Sequence, residues 1–124
     1  MTSPLIAVVD DDRAIRVALS SLLRSEGFRV TAYASAEDFL QSIATTVPDC
    51  LLTDIQMTGM SGLDLQDRLS HDMPQLPVFV MTAFPETQIR DCAIAGGAHC
   101  FLKKPFDALD LLKCIRTALA GDAK

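Results

Sequence analysis

No apolar run in this chain approaches the roughly 18–20 residues that a membrane-crossing helix needs. The N-terminus, Met1-Thr2-Ser3-Pro4, has no basic segment ahead of an apolar stretch and does not read as a secretory signal. Positive charge is in the minority. Eleven Lys and Arg stand against 16 Asp and Glu, a formal net charge of −5, which argues against wrapping nucleic acid or lying on an anionic membrane. The four cysteines, Cys50, Cys92, Cys100 and Cys114, form no C-x-x-C pair, and the histidines are limited to His71 and His99, so a zinc site is not expected. Free, buried and reduced thiols in a cytoplasmic protein are the reading. Repeats, low-complexity tracts and internal linkers are also missing.

What is present has the balance of an ordinary globular domain: 124 residues, 49% hydrophobic and 22% charged, read as one domain over 1–124. Short apolar runs alternate with segments of helical period. Leu5-Ile-Ala-Val-Val9 is continuously apolar, as a strand covered on both faces should be. Over 12–26, Ile15, Ala18, Leu19, Leu22 and Leu23 recur every three or four residues, and Gly27 is placed to stop the helix. Phe28 to Tyr33 reads as a strand, and Ser35 as the cap of a helix carrying Phe39, Leu40 and Ile43. Cys50 to Thr53 is a third strand. A loop over 59–62 leads to a helix with Leu63, Leu65 and Leu69. Pro77 to Met81 is a fourth strand, 86–95 a shorter and less apolar helix, His99 to Leu102 a fifth strand, and Leu109, Leu112, Ile115 and Leu119 mark the last helix. Five βα units in strict alternation predict an α/β fold, a parallel sheet with helices on both faces. The flavodoxin-like strand order 2-1-3-4-5 is the leading arrangement.

In such sheets ligands bind beyond the carboxyl ends of the strands, where the strand order reverses. The residues there are Asp10-Asp11-Asp12 after the first strand, Asp54 after the third, Thr82-Ala83 after the fourth and Lys103-Lys104-Pro105 after the fifth. Each alone has an ordinary reading: a solvated acidic loop, a helix N-cap at Asp12, a turn former, a solvated lysine pair. Together they converge on one place. Packed carboxylates raise each other's pKa unless a cation sits among them, and an all-oxygen acidic site suits Mg²⁺. Carboxylates, Mg²⁺, a lysine and a hydroxyl make a phosphoryl-transfer site, with one Asp as nucleophile giving an aspartyl phosphate.

These residues resemble the receiver domain of two-component response regulators. Val8-Val9-Asp10-Asp11-Asp12 matches the family's first strand and acid pair. Leu52-Thr53-Asp54-Ile55-Gln56-Met57, running to Met60-Ser61-Gly62-Leu63, matches its phosphoacceptor segment. Val80-Met81-Thr82-Ala83 and Lys104-Pro105-Phe106 match its switch-threonine and lysine segments. The match covers essentially the whole chain, above all receivers joined to a helix-turn-helix output. The resemblance implies that Asp54 accepts a phosphoryl group from a sensor histidine kinase. It implies that Asp11 ligates Mg²⁺ directly and Asp10 acts mainly through water, with Asp54 and the Gln56 main-chain carbonyl completing the protein ligands. It further implies that Thr82 and Lys104 contact the phosphoryl group, that Phe101 is the switch aromatic, and that the Lys104–Pro105 bond is cis. The face made by helix 86–95, the fifth strand and the last helix would pass the change to a partner or a second subunit. Any DNA-binding output domain would lie beyond residue 124. Thr58 stands where the family usually has Pro, Phe84-Pro85 follow the switch threonine, and Lys103 is expected to face solvent. Three other readings stay open: an Asp-nucleophile Mg²⁺ phosphatase, which would want a second acid where Gln56 stands; a flavin or nucleotide module, which would want a Gly-rich cradle after the first strand; and a receiver that binds partners without phosphorylation.

Overall fold

A computed structural model describes residues 3–57, 59–83, 91, 94–95, 100–104 and 107–119. The elements are β1 (Leu5–Val9), α1 (Arg13–Ser25), β2 (Arg29–Tyr33), α2 (Ala36–Ser42), β3 (Cys50–Asp54), α3 (Gly62–Asp72), β4 (Val78–Thr82), β5 (Cys100–Lys103) and α4 (Ala108–Leu119). The five strands form one sheet in the order β2-β1-β3-β4-β5, and every neighbouring pair is parallel. This is the order expected from the alternation. The expected helix over 86–95 lies mostly outside the described residues; Asp91, Ile94 and Ala95 within it are helical.

Strand alternation divides the core in two, because successive side chains point to opposite faces. Ile6, Val8, Cys50, Leu52, Phe79 and Met81 face α1 and α4, meeting Leu19, Leu23, Leu111 and Ile115. Ala7, Val9, Leu51, Val78 and Val80 face the other way, against Phe39 of α2 and Leu65 and Leu69 of α3. The result is three layers. Phe39 and Phe79 are fully buried, each worth about 1.5–3 kcal/mol in transfer from water.

Local chemistry sets the helix ends. Asp12 caps α1, its side chain accepting from the Ala14 N–H at 2.9 Å. Gly27 takes φ of +92°, and the N–H groups of Gly27 and Phe28 return to the carbonyls of Arg24 and Leu23, so the stop falls where expected. Ser35 caps α2 through the Asp38 N–H at 3.1 Å. Ser61 caps α3, so Gly62 is its first helical residue and not loop. Strands β3, β4 and β5 each run one residue further than the apolar runs suggest, which makes Asp54, Thr82 and Lys103 strand residues. Cys50 and Cys114 are free; burial, then the charge of Asp49, pushes the Cys50 thiol up to about 12, so it is an inert core residue. The side chains of Cys92 and Cys100 lie outside the described set.

Candidate phosphoryl-transfer site

β1 lies between β2 and β3, so the chain runs away from it in opposite directions, and the carboxyl ends of β1 and β3 open on a common edge. Asp10 follows β1 and is fully buried. Its carboxylate is held on both oxygens. Oδ1 accepts the Asp12 N–H at 2.9 Å, and Oδ2 accepts from Lys104 Nζ at 2.8 Å. The Asp10 carbonyl also takes a bond from Arg16 Nη1 at 2.7 Å, which ties the strand end to the first turns of α1. Asp11, one residue on, is exposed.

Asp54 ends β3 at 5% exposure. Lys104 Nζ lies 3.1 Å from its Oδ1, so one ammonium joins the acids of two adjacent strands. The Lys104 N–H donates to the Thr82 carbonyl at 2.7 Å, which sets this lysine beside the end of β4. Burial, and then the charge of Asp10, raises the Asp54 carboxyl above its ordinary range, against an opposing pull from Lys104. Burial draws the Lys104 ammonium down, but its hydrogen bonds to, and the charges of, Asp10 and Asp54 outweigh this and leave its pKa raised.

Thr82 is fully buried at the end of β4 and donates from Oγ1 to Gln56 Oε1 at 2.8 Å. The segment after β3 is pinned on either side of Gln56. Ile55 N–H bonds the Met81 carbonyl, Gly62 N–H bonds the Ile55 carbonyl, and Met60 N–H bonds Glu37 Oε2 at 3.0 Å. Phe101 of β5 is half-buried against the α2–α3 side of the core, and Lys103 is exposed as expected. Thr58, Phe84, Pro85, Pro105 and Phe106 fall outside the described residues.

The site therefore brings Asp10, Asp11, Asp54, Thr82, Lys104 and Gln56 to one end of the sheet. Sequence reasoning missed three partners: the Gln56 side chain on Thr82, Arg16 on the Asp10 carbonyl and Glu37 on the Met60 N–H. None has a spacing signal, because each contact depends on how a loop or helix lies over the sheet. Carboxylate oxygens of Asp10, Asp11 and Asp54 all lie within 4.8 Å of one another. One ammonium among three carboxylates leaves negative charge uncompensated within this group, and the donors are all oxygen. That donor set fits a small hard dication.

The family profile of the response regulator receiver domain matches residues 6–116. The chain is 43% identical over 115 residues to the response regulator protein TmoT of Ectopseudomonas mendocina, covering 93% of this chain and 52% of TmoT. It is 35% identical over 120 residues to the DNA-binding transcriptional regulator NtrC of Escherichia coli strain K12, covering 97% of this chain and 26% of NtrC. It therefore spans about half, or less, of these relatives. Among solved structures, a CheY-like response regulator receiver domain protein from Methanospirillum hungatei JF-1 superposes with a TM-score of 0.91 at 27% identity, covering 96% of this chain and 95% of that one. With the sheet order, the two-sided core and the acid cluster already in place, the chain belongs to the response regulator receiver domain family, in which phosphorylation of an aspartate is the general mechanism.

Proposed function

We propose that Asp54 is the phosphoacceptor, and that this domain is a phosphorylation-controlled switch and not a turnover enzyme. The observation that carries the reading is the pairing of Lys104 with Asp54 at 3.1 Å beside the buried Asp10, with the Thr82 hydroxyl at the end of the neighbouring strand. An Asp54 carboxylate oxygen attacks the phosphorus of a phosphohistidine on a sensor kinase. A P–O bond forms, the P–N bond breaks, and the imidazole leaves with its electron pair and takes up a proton. Lys104 offers its ammonium to the oxygens of the transferred group, and Thr82 offers its hydroxyl. Asp11, Asp54 and the Gln56 carbonyl would hold Mg²⁺. Asp10 would act through water, a role consistent with both of its oxygens being engaged already. When bound, the ion supplies positive charge that offsets repulsion between the carboxylates and the phosphoryl oxygens.

Phosphorylation adds about −1.5 to −2 charge. Thr82 and Lys104 are then drawn toward Asp54, and Phe101 repacks. The face that includes β5, α4 and the segment 86–95 passes the change to a second copy or a partner. Large exposed side chains on its elements, Ile94 at 53% and Leu109 at 74%, support that role. In a cytoplasmic two-component pathway the receiver would occupy 1–124. A DNA-binding output domain beyond residue 124 is consistent with the half-length match to TmoT and with the character of NtrC.

Intact mass after incubation with acetyl phosphate and Mg²⁺ tests this. One added phosphoryl group is expected on the parent and none on Asp54→Ala. An equal adduct on the variant would assign the acceptor elsewhere. A parent with neither adduct nor beryllofluoride binding would overturn the switch reading.

A further inference from the structure

Asp54 and Thr82 end two neighbouring strands, and the side chain of Gln56, two residues past Asp54, reaches the Thr82 hydroxyl. A hydroxyl has one proton to donate. In this structure the Thr82 proton goes to Gln56 Oε1 at 2.8 Å, from a residue that is fully buried to one that is exposed. The backbone around Gln56 is not free to follow Thr82 if that residue moves. Ile55 is bonded at its N–H to β4 and at its carbonyl to the start of α3, and Met60 is held by Glu37 of α2. Gly59, at φ +84°, lies so close to Glu37 that an added Cβ would stand 2.9 Å from Oε2.

We infer that the Gln56 side chain is a catch, which holds the Thr82 hydroxyl in the resting domain and must release it when Asp54 carries a phosphoryl group. The inference rests on the proposed acceptor role of Asp54. The two acceptors compete for one proton. The amide oxygen is neutral and the phosphoryl oxygens are charged, and a charge-assisted hydrogen bond is roughly twice as strong as a neutral one. Exchange therefore runs toward the phosphoryl group, and Gln56 reduces the net gain. Once released, the exposed amide is satisfied by water. Gln56 thereby acts as a positioning residue through Thr82 and sets how readily the domain leaves its resting state, separately from any role of its main-chain carbonyl. Reach matters, since asparagine is one methylene shorter.

The test uses the 124-residue chain with Mg²⁺ and beryllofluoride, in the parent, Gln56→Ala, Gln56→Asn, Thr82→Val and the Gln56→Ala/Thr82→Val pair, with Asp54→Ala as control. Losing one neutral hydrogen bond from the resting state should tighten beryllofluoride binding about fivefold in Gln56→Ala. Gln56→Asn should behave like Gln56→Ala. In the Thr82→Val background, Gln56→Ala should change affinity less than about twofold, a result that a loop-stability role would not give. The Thr82 methyl resonance should also move in metal-free Gln56→Ala with no beryllofluoride present. Weaker binding in Gln56→Ala, an equal effect in both Thr82 backgrounds, or an unmoved methyl resonance would overturn the catch. Beryllofluoride binding that survives Asp54→Ala would overturn the acceptor assignment instead, and the methyl shift would still decide whether Gln56 holds Thr82.

Discussion

Gly62→Ala should cost about 3 kcal/mol or more of folding stability and shift the main chain of Asp54. In most helices alanine is favoured over glycine by about 1 kcal/mol, so the expected sign is reversed here. The reason is space. A Cβ on Gly62 would lie 2.1 Å from the Asp54 carbonyl oxygen, 2.8 Å from its carbon and 2.9 Å from the Ile55 Cα. All three are backbone atoms at the end of a central strand and cannot rotate away as a flexible side chain does. The first turn of α3 would have to lift from β3, breaking the Gly62 N–H bond to the Ile55 carbonyl. Urea unfolding reads the loss as a lower midpoint at unchanged slope, and the rate of adduct formation with acetyl phosphate reads the displacement. Gly27→Ala is the informative contrast. Nothing lies within 4 Å of its Cβ, so its cost is the positive φ alone, about 1 kcal/mol, and phosphorylation should be unaffected. A Gly62→Ala protein as stable as the parent would show that α3 is free to move relative to β3.

Lys104→Ala should lower metal-free stability at neutral pH by about 2–3 kcal/mol, less than for a fully buried pair because the lysine side chain keeps 16% exposure. The loss arises from what is left behind, two acids at the ends of β1 and β3 without their shared ammonium. Its pH dependence follows from the direction of the shifts. The Asp54 pKa is raised above its ordinary 3.8 by burial and by Asp10. Between those two values the folded state binds more protons than the unfolded one, so stability falls as pH rises through that window, and the cost is complete above it. Removing Lys104 removes the group that opposes this rise, so the window extends upward and the variant's deficit should shrink as the pH is brought to about 4 and below. The Lys104 contribution in the parent is fully present below the ordinary lysine pKa of 10.5 and is lost as pH rises through its raised folded value, so it is constant across the neutral range. Mg²⁺ should restore much of the variant's stability, because a dication among three carboxylates replaces the missing charge. Thermal unfolding at pH 4 and pH 7, with and without Mg²⁺, checks each part. A deficit that is equal at both pH values and indifferent to Mg²⁺ would mean that Lys104 acts through packing of its stem.

The fold could be read from the sequence because both of its determinants are local. The apolar runs at 5–9, 50–53 and 77–81 need cover on both faces, and helical periods between them supply it. The grouping of the candidate residues could be read for the same reason: Asp10, Asp54, Thr82 and Lys104 follow apolar runs, and the topology brings strand ends together. What could not be read depends on distances across the fold. The apolar runs mark where burial ends, but pairing continues one residue further at Asp54 and Thr82, because these polar side chains find partners inside. In the sequence Gly62 reads as a loop residue because glycine usually marks one. Its actual role, a helix start pressed against a strand end, leaves no trace in spacing. The resemblance gives Gln56 a role only through its carbonyl, because nothing in a single sequence says which way a long polar side chain turns.

The bond between Lys104 and Asp10 spans 94 residues of chain. It also crosses from β1, inside the sheet, to the sequence that follows β5, the last strand made and an edge of the sheet. During synthesis the acids of β1 and β3 therefore emerge long before their cation, at about 5–20 residues per second. A nascent chain can form the first three strands and still lack both the lysine and the fourth-strand hydroxyl. The Asp10–Lys104–Asp54 cluster is thus complete only once β5 has docked at the sheet edge and brought the lysine back to the ends of β1 and β3.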